Sequence, residues 1–388
     1  MTTAQAADPI AAHVRSRDFK MLIGGSFVGS ADGGGRPVFD PSTGEALTEI
    51  PLASSRDVQA AVAAAQEAQP AWEALGVRGR AACFERFGEL IRENRERLAM
   101  LDAIDCGNPV KAMRIDIDIC DAYLDGWPAF AKSLAGDVYP ASPGNLHYTA
   151  HRPYGVVGRI TAFNHPAMFA ITRPLPSLIT GNTLVMKPSD ETSLSTLALA
   201  ELFDEAFPPG VVNIVTGGAE AGDAIVTHPR IKRLAFTGSV PTGLLIQRRA
   251  AESGHVKHVS LELGGKNPMV VFPDVDLDLA VEGAVHGMNL DVCQGQSCGS
   301  NSRILRHAKI YDEFVARLAA KLDTYRVGVA YDESTDVGPV VSKAHWERVN
   351  GYIESGEREG ATLVRGGGRP DGLRSEEHTS ELQSLRHL

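Results

Sequence analysis

The spacing of apolar residues changes character along the chain, and each change marks a different kind of element. Between Phe19 and Leu52 the apolar runs are short and extended, with a glycine-rich stretch over 24–35 and the turn Asp40-Pro41-Ser42-Thr43-Gly44. At Ser54 the period becomes helical. Ser54 and Asp57 have the spacing of a capping box, and Val58, Ala61, Val62 and Ala65 follow at three- and four-residue intervals. A second helical stretch carries Phe84, Phe87, Leu90, Ile91, Leu98, Leu101 and Ile104 and stops at Gly107-Asn108-Pro109. Segment 135–151, with Gly136, Pro140, Pro143 and Gly144 ahead of Leu146-His147-Tyr148-Thr149, predicts a hairpin or a crossing ribbon.

From Val156 onward short apolar runs alternate with helical patterns. Strands are expected at 156–163, 183–187, 211–215, 231–236 and 255–263, and helices at 193–207, 219–228 and 242–253. Pro208-Pro209-Gly210 breaks one of those helices. The alternation predicts an α/β fold with a parallel, doubly wound sheet. Such sheets bind ligands outside the carboxyl ends of their strands, so residues just after Phe163, Lys187, Val215 and Phe236 should meet at one site.

Composition narrows the classes. A chain of 388 residues with 43% hydrophobic and 22% charged residues suits two or three globular domains and excludes a disordered or collagenous protein. A net charge of -10 argues against a nucleic-acid partner. Cys83, Cys106, Cys120, Cys293 and Cys298 are too sparse for a disulfide framework and read as reduced thiols of a cytoplasmic protein. The first residues lack a signal-peptide core, and no apolar run approaches the ~18 residues of a membrane span, so a soluble protein without a membrane partner is expected. Cys293 and Cys298 have no matching Cys or His spacing and no HExxH occurs, so no metal is expected. The twelve histidines read as surface or helix-end residues.

Five segments carry candidate chemistry, and each has a plainer reading. Thr237-Gly238-Ser239-Val240-Pro241-Thr242-Gly243 follows a strand and opens a helix, where glycine and helix N–H groups suit a phosphate; a tight turn capped by Ser239 or Thr242 explains it equally. Lys187-Pro188-Ser189-Asp190 offers a cation and an acid for ribose hydroxyls, or simply a helix entry capped by Ser189 or Asp190. Glu262, between Leu261 and Leu263, is expected to be half-buried with the raised pKa of a general base, or else to face outward. Cys298 lies among small polar residues that leave room for a substrate, although a lone cysteine is usually inert. Asn164 ends the first strand of the alternating region and is either an oxyanion donor or a turn residue.

Taken together and in this order, the segments resemble the aldehyde dehydrogenase superfamily over roughly residues 19–373. AFNHP, MKPSD, PPGVVNIVTGG, FTGSVPTG, LELGGKNP and GQSC are similar to its motifs, as are FDPSTGE and GPVVSKAHWERVNGYIESGEREGATLVRGG. The resemblance implies roles. Cys298 would attack the aldehyde carbon, the Asn164 side chain and the Cys298 N–H would hold the oxyanion, and Glu262 would activate water against the thioester. Lys187 and Asp190 would hold the adenosine ribose, Gly238, Ser239 and Gly243 would line the pyrophosphate and nicotinamide side, and Ser189 and Gly218 would belong to the same cofactor site. Asp190 implies NAD ahead of NADP, because a 2′-phosphate would meet its charge.

The same resemblance implies a Rossmann-like dinucleotide domain from 1–133 and 152–260, an oligomerisation ribbon at 134–151 and a catalytic α/β domain at 261–373. A homodimer or homotetramer acting on a small aldehyde follows from it. Three departures stand out. Arg173 takes a position where relatives carry Lys, His165 replaces the usual Phe, and the stretch from Glu262 to Cys298 is slightly long. The catalytic domain is expected to be truncated, and 374–388 resembles nothing in the family. Two competing readings are an incomplete fragment that at most binds NAD, and a cofactor-free thiol hydrolase using Cys298 and Glu262.

Overall fold

The computed structural model describes residues 3–367; the tail at 374–388 lies outside the described residues. Helix α1 (Thr3–Ser16) leads into an antiparallel pair, β1 (Met21–Ile23) and β2 (Ser26–Val28). A second antiparallel pair, β3 (Gly35–Phe39) and β4 (Ala46–Pro51), turns at Asp40, whose carboxylate accepts from the Ser42 amide at 2.7 Å. Helix α2 (Ser55–Ala74) starts at the expected capping box: the Ser54 amide and hydroxyl donate to Asp57 at 2.8 and 2.9 Å.

The single helix expected next is two, α3 (Gly76–Glu93) and α4 (Arg95–Cys106). Asn94 splits them, its side-chain amide donating to the Leu90 carbonyl at 2.8 Å. Helix α4 stops at Gly107, whose φ of 81° is the left-handed cap that glycine adopts without strain. An unexpected helix, α5 (Val110–Ala131), follows, and then the hairpin β5 (Val138–Tyr139) and β6 (His147–Tyr148).

The alternating region runs β7 (Val156–Ile160), α6 (Pro166–Thr172), α7 (Leu175–Ile179), β8 (Thr183–Lys187), α8 (Leu194–Ala206) and β9 (Val212–Ile214). It continues with α9 (Ala219–Thr227), β10 (Ile231–Thr237), α10 (Val240–Glu252) and β11 (His258–Glu262). Five parallel strands stand in the order β11-β10-β7-β8-β9, and β1 and β2 extend the β9 edge in antiparallel fashion. The chain goes from β7 toward β9 and then returns to place β10 on the other side. The gap between β7 and β10 is therefore the switch point at which a doubly wound sheet opens a crevice.

Both faces of the sheet are covered, so β8 is buried along its whole length. Val58, Ala61, Ile225 and Ile246 from α2, α9 and α10 pack on one face. On the other, Phe84, Phe87, Ile117, Leu175 and Phe203 form the larger core, with the Phe87 and Phe203 rings stacked at 4.4 Å. A separate apolar cluster holds the last part together: parallel β12 (Asn267–Val271) and β13 (Asn301–Arg306) with α11 (Leu277–Met288) and α13 (Tyr311–Leu322). Between α11 and β13 lies the short α12 (Leu290–Cys293), and α14 (Lys343–Arg358), the last helix among the described residues, has no buried side chain. Among the described residues no helix is long and apolar enough to cross a membrane.

Candidate active site

The end of β7 delivers Asn164, and the surrounding structure pins that turn. The Asn164 carbonyl accepts from the Asn108 side chain at 2.9 Å, and the Ala167 amide at the start of α6 donates to Asp102 at 3.0 Å. One strand over, β8 delivers Lys187. Its ammonium is buried and donates to Asp190 at 2.8 Å and to the Pro188 carbonyl at 3.0 Å. Ser189 is occupied by its own turn, its hydroxyl accepting from the Glu191 amide at 3.3 Å. Arg36, on β3, joins the same cluster, 3.0 Å from Glu191 and 3.8 Å from Asp190. Lys187 is thus not the one base beside Asp190, as the local sequence suggests.

Gly218 caps α9 so close to Asp190 that an added Cβ would lie 3.5 Å from its carboxylate. At the end of β10 the Gly238 amide donates to the Glu262 carbonyl at 3.0 Å, and a Cβ there would run into the Phe236 ring. Ser239 caps α10, accepting from the Thr242 amide at 3.4 Å. The turn is capped, as the plainer reading has it, and Gly238 and Ser239 line the crevice. Gly243 lies beneath the wall, where an added Cβ would stand 2.8 Å from Leu263.

Glu262 departs from expectation. It is exposed rather than half-buried, because β11 is the outer strand of the sheet. Cys298 is exposed too, in a loop held with unusual firmness. Gln294, in the left-handed region at φ 53°, donates to the Gly107 carbonyl at 3.2 Å. Gln296 donates to Gln294 at 2.8 Å and accepts from the Val341 amide, while Asn267 donates to the Cys298 carbonyl at 2.7 Å. Sequence reasoning singled out none of Asn108, Asn267, Gln294 or Gln296, because each pairs with a segment distant in sequence.

Two histidines also depart from expectation, since His165 and His228 are largely enclosed. Burial works against charge on His165, but hydrogen bonds to Asp116 (2.6 Å) and Cys293 outweigh it and raise its pKa to about 10. His228 meets Gln59 at 3.0 Å, and burial and Lys257 push its pKa down. Arg173 is exposed, its guanidinium 5.1 Å from the Phe169 ring centre.

All these strand ends open into one cleft of about 750 Å³. Asn164, Lys187, Ser189, Asp190, Gly218, Gly238, Ser239, Glu262 and Cys298 line it; Gly243 does not. From α14, His345, Arg348 and Tyr352 close a further side, which the sequence reading did not anticipate. Burial and Arg348 hold the His345 pKa down. The cleft has one half lined by glycine turns and a Lys–Asp pair, and another by a thiol, a carboxylate and an amide. The first half fits a dinucleotide: it offers bare backbone where phosphates approach and a buried cation and acid where ribose hydroxyls need partners.

Comparison with known proteins agrees. Residues 27–380 match the Aldehyde dehydrogenase family. The aldehyde dehydrogenase tropH of Talaromyces stipitatus is 42% identical over 87% of this chain, and the hydroxyisobutyraldehyde dehydrogenase of Mycolicibacterium austroafricanum is 42% identical over 90%. This chain spans 66% and 69% of their lengths. Among solved structures, the NAD+ complex of an aldehyde dehydrogenase from Bacillus cereus superposes with a TM-score of 0.89 at 37% identity, covering 97% of this chain and 75% of that one.

Proposed function

The chain belongs to the aldehyde dehydrogenase family, and from that premise we propose that it oxidises an aldehyde to a carboxylic acid, with NAD ahead of NADP as hydride acceptor. The observation that carries the reading is the single cleft that joins Cys298, Glu262 and Asn164 to the glycine turns and the Lys187–Asp190 pair. The relative named for hydroxyisobutyraldehyde supports an aldehyde as substrate class, and the neighbour solved with NAD+ supports the cofactor.

In this mechanism the Cys298 thiolate attacks the aldehyde carbon, and the carbonyl π electrons move to oxygen. The Asn164 side-chain amide and the Cys298 N–H hold that oxyanion as the carbon becomes tetrahedral. A bound nicotinamide supplies the hydride acceptor. The oxyanion collapses as hydride leaves, giving a thioester on Cys298. Glu262 then takes a proton from water, which attacks the thioester and releases the acid and the thiolate. The exposure of Glu262 on the edge strand gives it access to that water. Lys187 and Asp190 bind and orient the ribose, and Ser239 with Gly218 and Gly238 keeps the backbone open beside the phosphates. Gly243 contributes by letting α10 pack close to Leu263.

The same reading assigns 1–133 and 152–260 to dinucleotide binding and 261–373 to the thiol half. It assigns 134–151 to contact between copies in a homodimer or homotetramer; Val138, Leu146 and Tyr148 of that ribbon are exposed. Five cysteines outside any disulfide suit a cytoplasmic setting. The test is aldehyde plus NAD followed by NADH absorbance, with mass spectrometry of the quenched protein. Acylation at Cys298, lost in Cys298→Ala, is expected. NADH production by Cys298→Ala at the wild-type rate would refute the assignment, and aldehyde-independent thioester hydrolysis without NAD would favour a hydrolase.

A further inference from the structure

Beneath the cleft lies a polar cluster that the mechanism does not use. Asp116, on α5, places a carboxylate oxygen 2.6 Å from Nδ1 of His165, and the same ring hydrogen-bonds Cys293. Asp116 and Cys293 are 4% and 0% exposed. His165 directly follows Asn164 in the chain. Cys293 ends α12 and directly precedes the loop 294–298 that carries the thiol. One imidazole therefore joins a core helix, the strand end that bears the oxyanion amide and the base of the nucleophile loop.

The ties around it share that geometry. Asn108 holds the Asn164 carbonyl, and Gln294 holds the carbonyl of the neighbouring Gly107. Both segments are thus moored to the turn between α4 and α5, with His165 bridging them at a third point. Burial opposes charge on the ring, but its bonds to Asp116 and Cys293 prevail and raise its pKa to about 10, so it is an imidazolium across the neutral range. Charge-assisted hydrogen bonds are shorter and roughly twice as strong as neutral ones, which makes the 2.6 Å bond to Asp116 a firmer anchor for the ring than the amide ties beside it.

We propose that His165 is a positioning residue for the thiol step: clamped between Asp116 and Cys293, it sets the separation of the Asn164 amide and the Cys298 thiol. The inference rests on the roles given above to Asn164 and Cys298. Its physical importance follows from the tolerance of the chemistry, since a displacement of about 1 Å can cost on the order of 10²-fold in rate.

The test uses the full chain with His165→Phe, Cys293→Ala and Cys293→Ser. Hydrogen exchange at the amides of residues 294–300 needs neither cofactor nor turnover, so it stands even if the aldehyde reading fails. Exchange there should quicken by about fivefold or more in Cys293→Ala and return to the wild-type rate in Cys293→Ser, whose hydroxyl can still bond the ring. In aldehyde oxidation, Cys293→Ala and His165→Phe should lose kcat by about ten- to a hundredfold while KM for NAD stays put, with Cys293→Ser again restoring it. If His165→Phe does not fold, the nearly isosteric Cys293 pair decides. Loop exchange in Cys293→Ala equal to wild type would overturn the proposal, as would equal defects in Cys293→Ala and Cys293→Ser.

Discussion

Replacing Asp102 by Asn should make the protein more stable at neutral pH and leave it almost unchanged at pH 4. Asp102 is wholly buried on α4 and caps α6, its two oxygens 3.0 and 3.3 Å from the Ala167 amide. Burial raises its pKa from 3.8 to about 7, with Asp116 adding to the rise while the Ala167 bond and His165 oppose it. The sign follows from proton counting. Between 3.8 and about 7 the folded carboxyl keeps a proton that the unfolded one has lost, so stability falls as pH rises through that interval. Each pH unit removes about 1.4 kcal/mol, hence at most about 4 kcal/mol in all, with no further loss above pH 7. An Asn resembles the protonated acid at every pH and escapes the loss. Urea unfolding of both proteins from pH 4 to pH 8 isolates the residue, because other titrating groups contribute to both. The difference between them should grow from near zero to about 2–4 kcal/mol in favour of Asp102→Asn. Parallel curves, within about 0.5 kcal/mol throughout, would refute the account.

Other outcomes follow from the site and the core. Glu262→Gln should keep the burst of NADH from the first turnover and slow the steady state, since the base acts only on the thioester; equal loss of both would assign Glu262 another role. Asp190→Ser removes the carboxylate that a 2′-phosphate meets and should shift the NAD/NADP ratio of kcat/KM toward NADP by about tenfold, comparable to one charge-assisted contact; an unchanged ratio would count against the ribose assignment. Trp72→Phe removes the 2.9 Å indole donor from the Leu178 carbonyl, which keeps the Gly181 amide at 3.0 Å, and shrinks a buried ring; it should cost about 1–3 kcal/mol, read by denaturant midpoint, and a loss below about 0.5 kcal/mol would show that the indole contributes nothing there.

The central strand β8 was legible because its run Thr183–Lys187 is buried on both faces and mostly apolar, so it declares itself without tertiary information. The cleft was legible for a related reason: glycines, a lysine and an asparagine stand just past those strands. Helix α5 was not. Its sequence Ile115-Asp116-Ile117-Asp118-Ile119 alternates like a strand, yet Ile117 is buried while Ile115 and Ile119 are exposed, and the helical period emerges only from what each side faces. Long-range polar ties were equally hidden. Nothing near Gln294 marks Gly107 as its partner, and nothing near Asp190 points to Arg36 on β3. The outward exposure of Glu262 depends on β11 lying at the sheet edge, a property of strand order rather than of its neighbours.

The bond from Gln294 to Gly107 spans 187 residues, and that separation bears on when the thiol loop is set in place during synthesis. The turn between α4 and α5 leaves the ribosome long before the thiol loop exists, and contacts of such separation close late in folding. Until they close, the Cys298 loop is tied to Asn267 and not to the turn that holds the Asn164 segment. On the proposed reading, a nascent chain therefore holds no assembled thiol site while its core is still forming. In the folded protein, a local opening confined to this loop would part Cys298 from the turn that holds Asn164 while the sheet beneath stays folded.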